Sequence, residues 1–219
     1  MYQTLISTSQ LLTCLTDPSW VVVDCRYDLR NKEWGLEQYL TGHIPGAVYA
    51  SLSKDLSGPK TATSGRHPLP DPESIANTFG RLGITRDKQV VCYDQDIGMY
   101  AARLWWMLRY LGHAAVAVVD GGFKKWTLEN QKTQSGLDTN PSVTFSGSPQ
   151  QHKLLDTKQV LHGLSRSENL LVDARAPERY QGASESLDRA AGHIPGAKNY
   201  FFKNNLNSDN TFLPPAVLR

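Results

Sequence analysis

The 219-residue sequence predicts an α/β protein built from one structural unit used twice, the first copy a mainly parallel five-stranded sheet flanked by helices. Three observations carry this expectation. Short Val-rich runs alternate with segments of helical periodicity, an order that implies parallel strands joined by crossover helices. Val22-Val23-Asp24-Cys25-Arg26 near the start is echoed by Leu171-Val172-Asp173-Ala174-Arg175. Gly42-His43-Ile44-Pro45-Gly46-Ala47 is echoed by Gly192-His193-Ile194-Pro195-Gly196-Ala197. Both echoes come at an offset of about 150 positions and in the same order, the mark of a duplicated unit.

Element by element, residues 21–23 read as a buried strand between Pro18 and a charged stretch. Residues 74–82 have helical periodicity, with Pro72 in front and Gly83 behind. A second strand follows at 90–93, and a strong helix at 100–111 is closed by Gly112. A third strand at 116–119 ends in Asp120-Gly121-Gly122, after which a helix runs over 123–130. Residues 131–151 are polar and rich in Gly, Ser, Pro and Asn, and read as a linker. Beyond it a helix over 156–164 is capped by Asp156, and a strand follows at 170–172. The domains expected are therefore 1–130, a linker at 131–151, and 152–219 as the first part of a second domain.

Composition narrows the function. Hydrophobic residues make up 40% and charged residues 20%, enough for an ordinary core. A net charge of +2 without a lysine or arginine cluster argues against nucleic acid. Apolar runs such as 114–119 are strand-sized, which argues against a membrane span. The N-terminus has no basic region followed by an apolar core, so no signal peptide is expected and the cytoplasm is the expected compartment. Cys14, Cys25 and Cys92 form no CxxC and have no paired histidines, so neither a disulfide framework nor a metal site is expected.

Each Val-Asp-x-Arg sets a carboxylate and a guanidinium at the carboxyl end of a buried strand, the edge where ligands collect in α/β sheets. The same pair could equally be a strand-end anchor. Each Gly-His-Ile-Pro-Gly-Ala is a shaped turn, since isoleucine before proline is extended and Pro-Gly suits a type II turn. Its histidine is more naturally a hydrogen-bonding prop than a base. The loop 94–98 joins the strand at 90–93 to the helix at 100–111, and such a junction forms an anion cradle. A cysteine there would be a reactive thiolate. Asp94 stands there instead, a residue expected to repel an anion, so the first unit has the cradle without the chemistry. Asp94-Gln95-Asp96 also imitates a phosphotransferase motif, but that fold needs a later acidic pair for magnesium and leaves the doubled turn unexplained.

With these residues in hand, the sequence resembles the tandem-domain rhodanese family, the thiosulfate and 3-mercaptopyruvate sulfurtransferases. The doubled motifs carry the resemblance, supported by Arg103-Leu104-Trp105-Trp106 and Asp120-Gly121-Gly122-Phe123. It implies an inactive first copy with aspartate, here Asp94, where the active copy has cysteine. It implies no cofactor. Its chemistry would take a small anionic sulfur donor, form a cysteine persulfide, and pass the sulfur to a thiol or cyanide. The donor-binding arginine would be Arg179, in Asp173-Ala174-Arg175-Ala176-Pro177-Glu178-Arg179-Tyr180. The spacing from His43 to Asp94, carried to His193, puts the nucleophile at about residue 244. The chain is therefore expected to be truncated within the second domain, with no catalytic cysteine before Arg219. The competing expectation is a non-catalytic module that binds a partner or an anion.

Overall fold

The structure is a computed structural model describing residues 1–164, 166, 168–188 and 190–218; Ser165, Ser167, Arg189 and Arg219 lie outside the described residues. It divides into two compact units, Met1–Gln150 and Gln151–Arg219.

The first unit holds a five-stranded sheet of β1 (Leu5–Ile6), β2 (Trp20–Asp24), β3 (Val48–Tyr49), β4 (Gln89–Tyr93) and β5 (Val116–Val119), in the order β1-β5-β4-β2-β3. Every pairing is parallel, and β2 and β4 match residue for residue from Trp20 against Gln89 to Asp24 against Tyr93. Valine runs suit these central strands because both faces are covered, and a β-branched side chain packs well on a pleated surface. Val21, Val23, Val90 and Cys92 face one core with Phe79 and Leu104. Val22, Val91 and Tyr93 face the other with Leu11, Phe123 and Trp126. The helices α1 (Thr8–Leu12), α3 (Pro72–Arg81), α4 (Ala101–Tyr110) and α5 (Gly122–Leu128) supply those partners, and α2 (Trp34–Thr41) completes the set.

The helix expected at 74–82 starts two residues earlier. Asp71 is its N-cap, accepting the Ser74 N–H at 2.9 Å, and Pro72 is inside the first turn, where its missing N–H costs nothing. The helix after the loop ends at Tyr110, with Gly112 at a φ of 83° just beyond. Elements absent from the sequence expectation are β1, α2 and β3. Two-residue strands have no periodicity to read.

Residues 131–150 contain no helix or long strand, yet they are held against the first unit, which extends to Gln150 rather than ending near 130. Asn140 Nδ2 donates to Leu82 O at 2.9 Å and Val143 N to Gly80 O at 3.0 Å. Ser148 N donates to Leu111 O at 3.1 Å and Gln150 N to Tyr110 O at 2.7 Å. The strap thus adds donors to carbonyls at the ends of α3 and α4, where the intrahelical ladder runs out. Phe145 anchors it, buried edge-on against Phe79 with ring centroids 5.1 Å apart.

In the second unit, α6 (Thr157–Gly163) has the expected Asp156 cap, with Gln159 reaching back to complete a capping box. The strand expected at 170–172 is β6 (Val172–Asp173), paired in parallel only with β7 (Lys198–Asn199), and α7 (Pro177–Tyr180) lies between them in sequence. Leu170 is exposed, because the ladder begins two residues later than the apolar run. Among the described residues of this unit the sheet has two strands, and no helix of the described chain is long and apolar enough to cross a membrane.

The strap makes a test of packing. A Cβ on Gly80 would run into Val143 O, a backbone atom fixed by the Gly80 carbonyl bond. Gly80→Ala should therefore destabilise the first unit by about 1–3 kcal/mol despite alanine's better helix propensity. Urea denaturation followed by tryptophan fluorescence measures it; an unchanged or higher midpoint would show that the strap yields freely.

Candidate functional site

Asp24 closes β2 and is fully buried, as is Arg26. The guanidinium donates from Nε at 2.8 Å and Nη2 at 2.6 Å to Asp24 Oδ2, and the Arg26 N–H meets Oδ1 at 2.8 Å. Burial pushes the Asp24 carboxyl up, opposed by the charge of Arg26. Nη2 also donates to Gly42 O at 2.7 Å, and the guanidinium lies 4.1 Å from the Phe123 ring centroid. Strand end and histidine turn are thereby locked together.

The second unit repeats the lock. Arg175 Nη2 reaches Asp173 Oδ2 at 2.6 Å and Gly192 O at 2.7 Å. Each turn also closes as expected, Ala47 N to Ile44 O at 2.9 Å and Ala197 N to Ile194 O at 3.0 Å, with Gly46 and Gly196 at positive φ. The tyrosines Tyr39 and Tyr180 donate to Ala47 O and Ala197 O at 2.8 and 2.7 Å.

His43 is a prop. It is fully buried, stacks on Tyr39 at 4.1 Å, and engages Tyr39 O through Nδ1 at 2.8 Å and Asp138 Oδ2 through Nε2 at 2.9 Å. His193 makes the matching stack and Nδ1 contact with Tyr180, at 3.7 and 2.7 Å, but is exposed.

The cradle after β4 is present, and Asp94 fills it. Oδ1 accepts Asp96 N–H at 3.2 Å and Gly98 N–H at 2.9 Å; Oδ2 accepts Tyr100 N–H at 2.7 Å and Ala101 N–H at 3.3 Å. Gly98 has a φ of 73°, which lets the loop turn its N–H groups inward. The carboxylate also caps α4, whose N-cap residue Tyr100 makes no side-chain cap of its own. Burial raises the Asp94 carboxyl, opposed by these backbone donors. The expectation that Asp94 repels an anion thus takes a more definite form: Asp94 is the anion the cradle holds. No sequence reading assigned it that contact, because Asp94 lies six residues before the N-cap Tyr100, outside the position where an acidic cap is read. The Gly121-Gly122 pair serves the same loop. A Cβ on Gly122 would meet Asp94 O at 2.7 Å, so α5 can approach closely enough for Phe123 N to donate to that oxygen at 2.9 Å.

The thiols lie apart from this chemistry. Cys25 and Cys92 are buried, and burial raises both well above an ordinary thiol. Cys14 stands in a turn past α1 and is half-buried, because the helix ends at Leu12. No cluster of three or more His, Cys, Asp and Glu side chains able to hold a metal occurs among the described residues.

Arg179, on α7, is engaged by Glu185 and Asp188. The guanidinium of Arg179, with N–H groups of Leu187 and Asp188, holds the Glu185 carboxyl at about 2.

A parallel sheet with an anion cradle at the carboxyl end of a central strand defines proteins that hold a small anion or an anionic intermediate at strand ends. Residues 7–129 match the family model of the rhodanese-like domain. The probable 3-mercaptopyruvate sulfurtransferase of Pseudomonas aeruginosa is 40% identical over 98% of this chain and 76% of its own length. Thiosulfate sulfurtransferase of Bos taurus is 32% identical over all of this chain and 76% of its own. The solved structure of 3-mercaptopyruvate sulfurtransferase from Leishmania major superposes with a TM-score of 0.81 at 28% identity, covering 97% of this chain and 59% of that one. The chain belongs to the rhodanese family of sulfurtransferases. It spans about three quarters of the length of those two curated relatives and less than two thirds of the solved one.

Two measurements probe the site. Asp94→Asn places an amide N–H₂ against one of the two pairs of buried backbone donors and should cost about 1–3 kcal/mol of stability, read as a lowered urea midpoint. An unchanged midpoint would mean the loop does not depend on the carboxylate. Glu185 sits below its ordinary value of 4.5, so its contribution is fully present above that pH and is lost as pH falls toward about 2. Its carboxyl carbon signal should titrate near 2 and move up toward 4.5 in Arg179→Ala; a wild-type midpoint at the ordinary value would contradict the pairing.

Proposed function

We propose that the protein is a sulfurtransferase that moves a sulfane sulfur from thiosulfate or 3-mercaptopyruvate to a thiophilic acceptor such as cyanide or a thiol. The observation that carries the reading is the cradle in which four backbone N–H groups hold the Asp94 carboxylate. In the second copy of the repeat the corresponding loop would fall at about residue 244, and a cysteine there would have its thiolate and persulfide held by the same kind of donors.

The thiolate attacks the outer sulfur of the donor. A cysteine S–S bond forms; with thiosulfate the old S–S bond breaks and sulfite leaves with its electron pair, and with 3-mercaptopyruvate the C–S bond breaks and pyruvate leaves after taking a proton. Cyanide then takes the outer sulfur as thiocyanate and the thiolate is restored. Arg179 binds the anionic end of the donor through its planar guanidinium. Asp24 with Arg26 and Asp173 with Arg175 hold strand ends and turns in register. The reading needs no cofactor. It sets the protein in the cytoplasm, where unpaired thiols are usual. Names of the relatives, one for each donor, support both donors equally.

Thiocyanate formation from each donor tests it. Residues 1–219 alone should show no turnover, and a polypeptide continuing through the second cradle should. In the longer chain Arg179→Ala should lower kcat/KM about ten- to a hundredfold, with partial recovery in Arg179→Lys. Turnover by residues 1–219 that Cys25→Ser abolishes would place the chemistry elsewhere, and unchanged kinetics in Arg179→Ala would remove Arg179 from the donor site.

A further inference from the structure

Glu185 holds two arginines and two backbone groups at once, with its side chain 5% exposed. Oε2 accepts Arg179 Nε at 3.1 Å and Nη2 at 2.8 Å, and lies 3.8 Å from Arg175 Nη1. Oε1 accepts the backbone N–H groups of Leu187 and Asp188 at 2.8 and 3.0 Å. Arg175 is in turn gripped by Asp173 at the end of β6, Nη2 to Oδ2 at 2.6 Å. One carboxylate therefore ties the guanidinium of Arg179 to the strand-end lock. The first unit offers a comparison within the same chain. Arg30 stands six residues after Asp24, as Arg179 stands six after Asp173. Arg30 is exposed, and its side chain makes no hydrogen bond among the described residues. The clamp is thus no general property of the repeat, and it belongs to the copy whose arginine is read as the donor contact.

We propose that Glu185 is a positioning residue for donor recognition: it fixes Arg179 by the Nε–Nη2 edge, so that Nη1 meets the anionic end of the donor in a set direction. The inference rests on the reading of Arg179 as the donor contact. An unrestrained arginine side chain must be ordered when it binds, and that ordering weakens binding. The clamp orders it when the chain folds. Nη1 makes no hydrogen bond among the described residues, and the arrangement requires no movement of Asp188, which meets Nη2 at 2.8 Å. The double duty needs a carboxylate, because both of its oxygens are acceptors. A glutamine amide has one acceptor oxygen, and its N–H₂ would face either the guanidinium or the two backbone donors.

The kinetic test uses the longer polypeptide described above, with thiosulfate as donor and cyanide as acceptor. Loss of a negative charge beside an anion site would by itself strengthen donor use, so a decline in Glu185→Gln reports lost positioning. There kcat/KM for thiosulfate should fall about tenfold while the KM for cyanide stays unchanged. In an Arg179→Ala background the same substitution should change kcat/KM by less than about twofold, because the residue it acts through is gone. An equal loss in both backgrounds would make Glu185 a purely structural residue and overturn the inference. So would an unchanged or raised kcat/KM in Glu185→Gln alone. No effect of Arg179→Ala would remove Arg179 from the donor site, and the inference with it. The 219-residue chain gives a readout that needs no turnover. Its Arg179 Nε–H resonance should be protected from exchange and should be lost to water in Glu185→Gln. The Arg175 Nε–H, held by Asp173 at 3.0 Å, should persist as the control of fold. An Arg179 signal protected equally in both proteins would overturn the clamp, and loss of both resonances would assign Glu185 to the fold instead of donor recognition.

Discussion

A buried carboxylate must find its donors inside the protein, and the carboxyl edge of this sheet is arranged around two of them. Asp24 is met by a guanidinium and Asp94 by backbone N–H groups. Taking either ion from water costs several kcal/mol unless the partners are already in place. The consequences spread outward. Arg26 must be buried to reach Asp24, and once buried its second Nη2 bond fixes Gly42 and with it the histidine turn. Asp94 must turn a loop inward, which requires Gly98 at positive φ and glycine at 122 so that α5 can press on the loop.

The two carboxylates do different work through different donors. Asp24 holds Arg26, whose Nη2 ties the strand end to Gly42 in the histidine turn. Asp94 joins the end of a strand to the start of the next helix, and occupies the space where an exogenous anion would sit. The helix it caps is served by a negative group before its first turn.

Much of this was legible in the sequence. The valine runs at β2, β4 and β5 declare buried parallel strands, and the repeated Asp-x-Arg and His-Ile-Pro-Gly motifs declare the locks, because each side chain bonds to a motif with a fixed local pattern. Other features were invisible for physical reasons. The bonds of Asp94 depend on where four N–H groups point, which residue identities do not encode. Residues 131–150 look like a connector because their contacts are scattered polar and backbone groups without periodicity, with Phe145 as the buried apolar anchor. The clamp on Arg179 joins residues six and nine positions away through an irregular loop, beyond any periodicity.

The strap also sets an order of assembly. Carbonyls at the ends of α3 and α4 gain partners at Asn140, Val143, Ser148 and Gln150. During synthesis all five strands of the first sheet have been made by Val119, yet the bonds from residues 140–150 to the ends of two of the helices packed on it wait until the chain has been extended to Gln150. Domains commonly fold as units while the chain grows. Here the nascent first unit passes through a stage in which its sheet is complete and its helix ends and the Phe79 surface still await cover, so the ribosome delivers the fastening last.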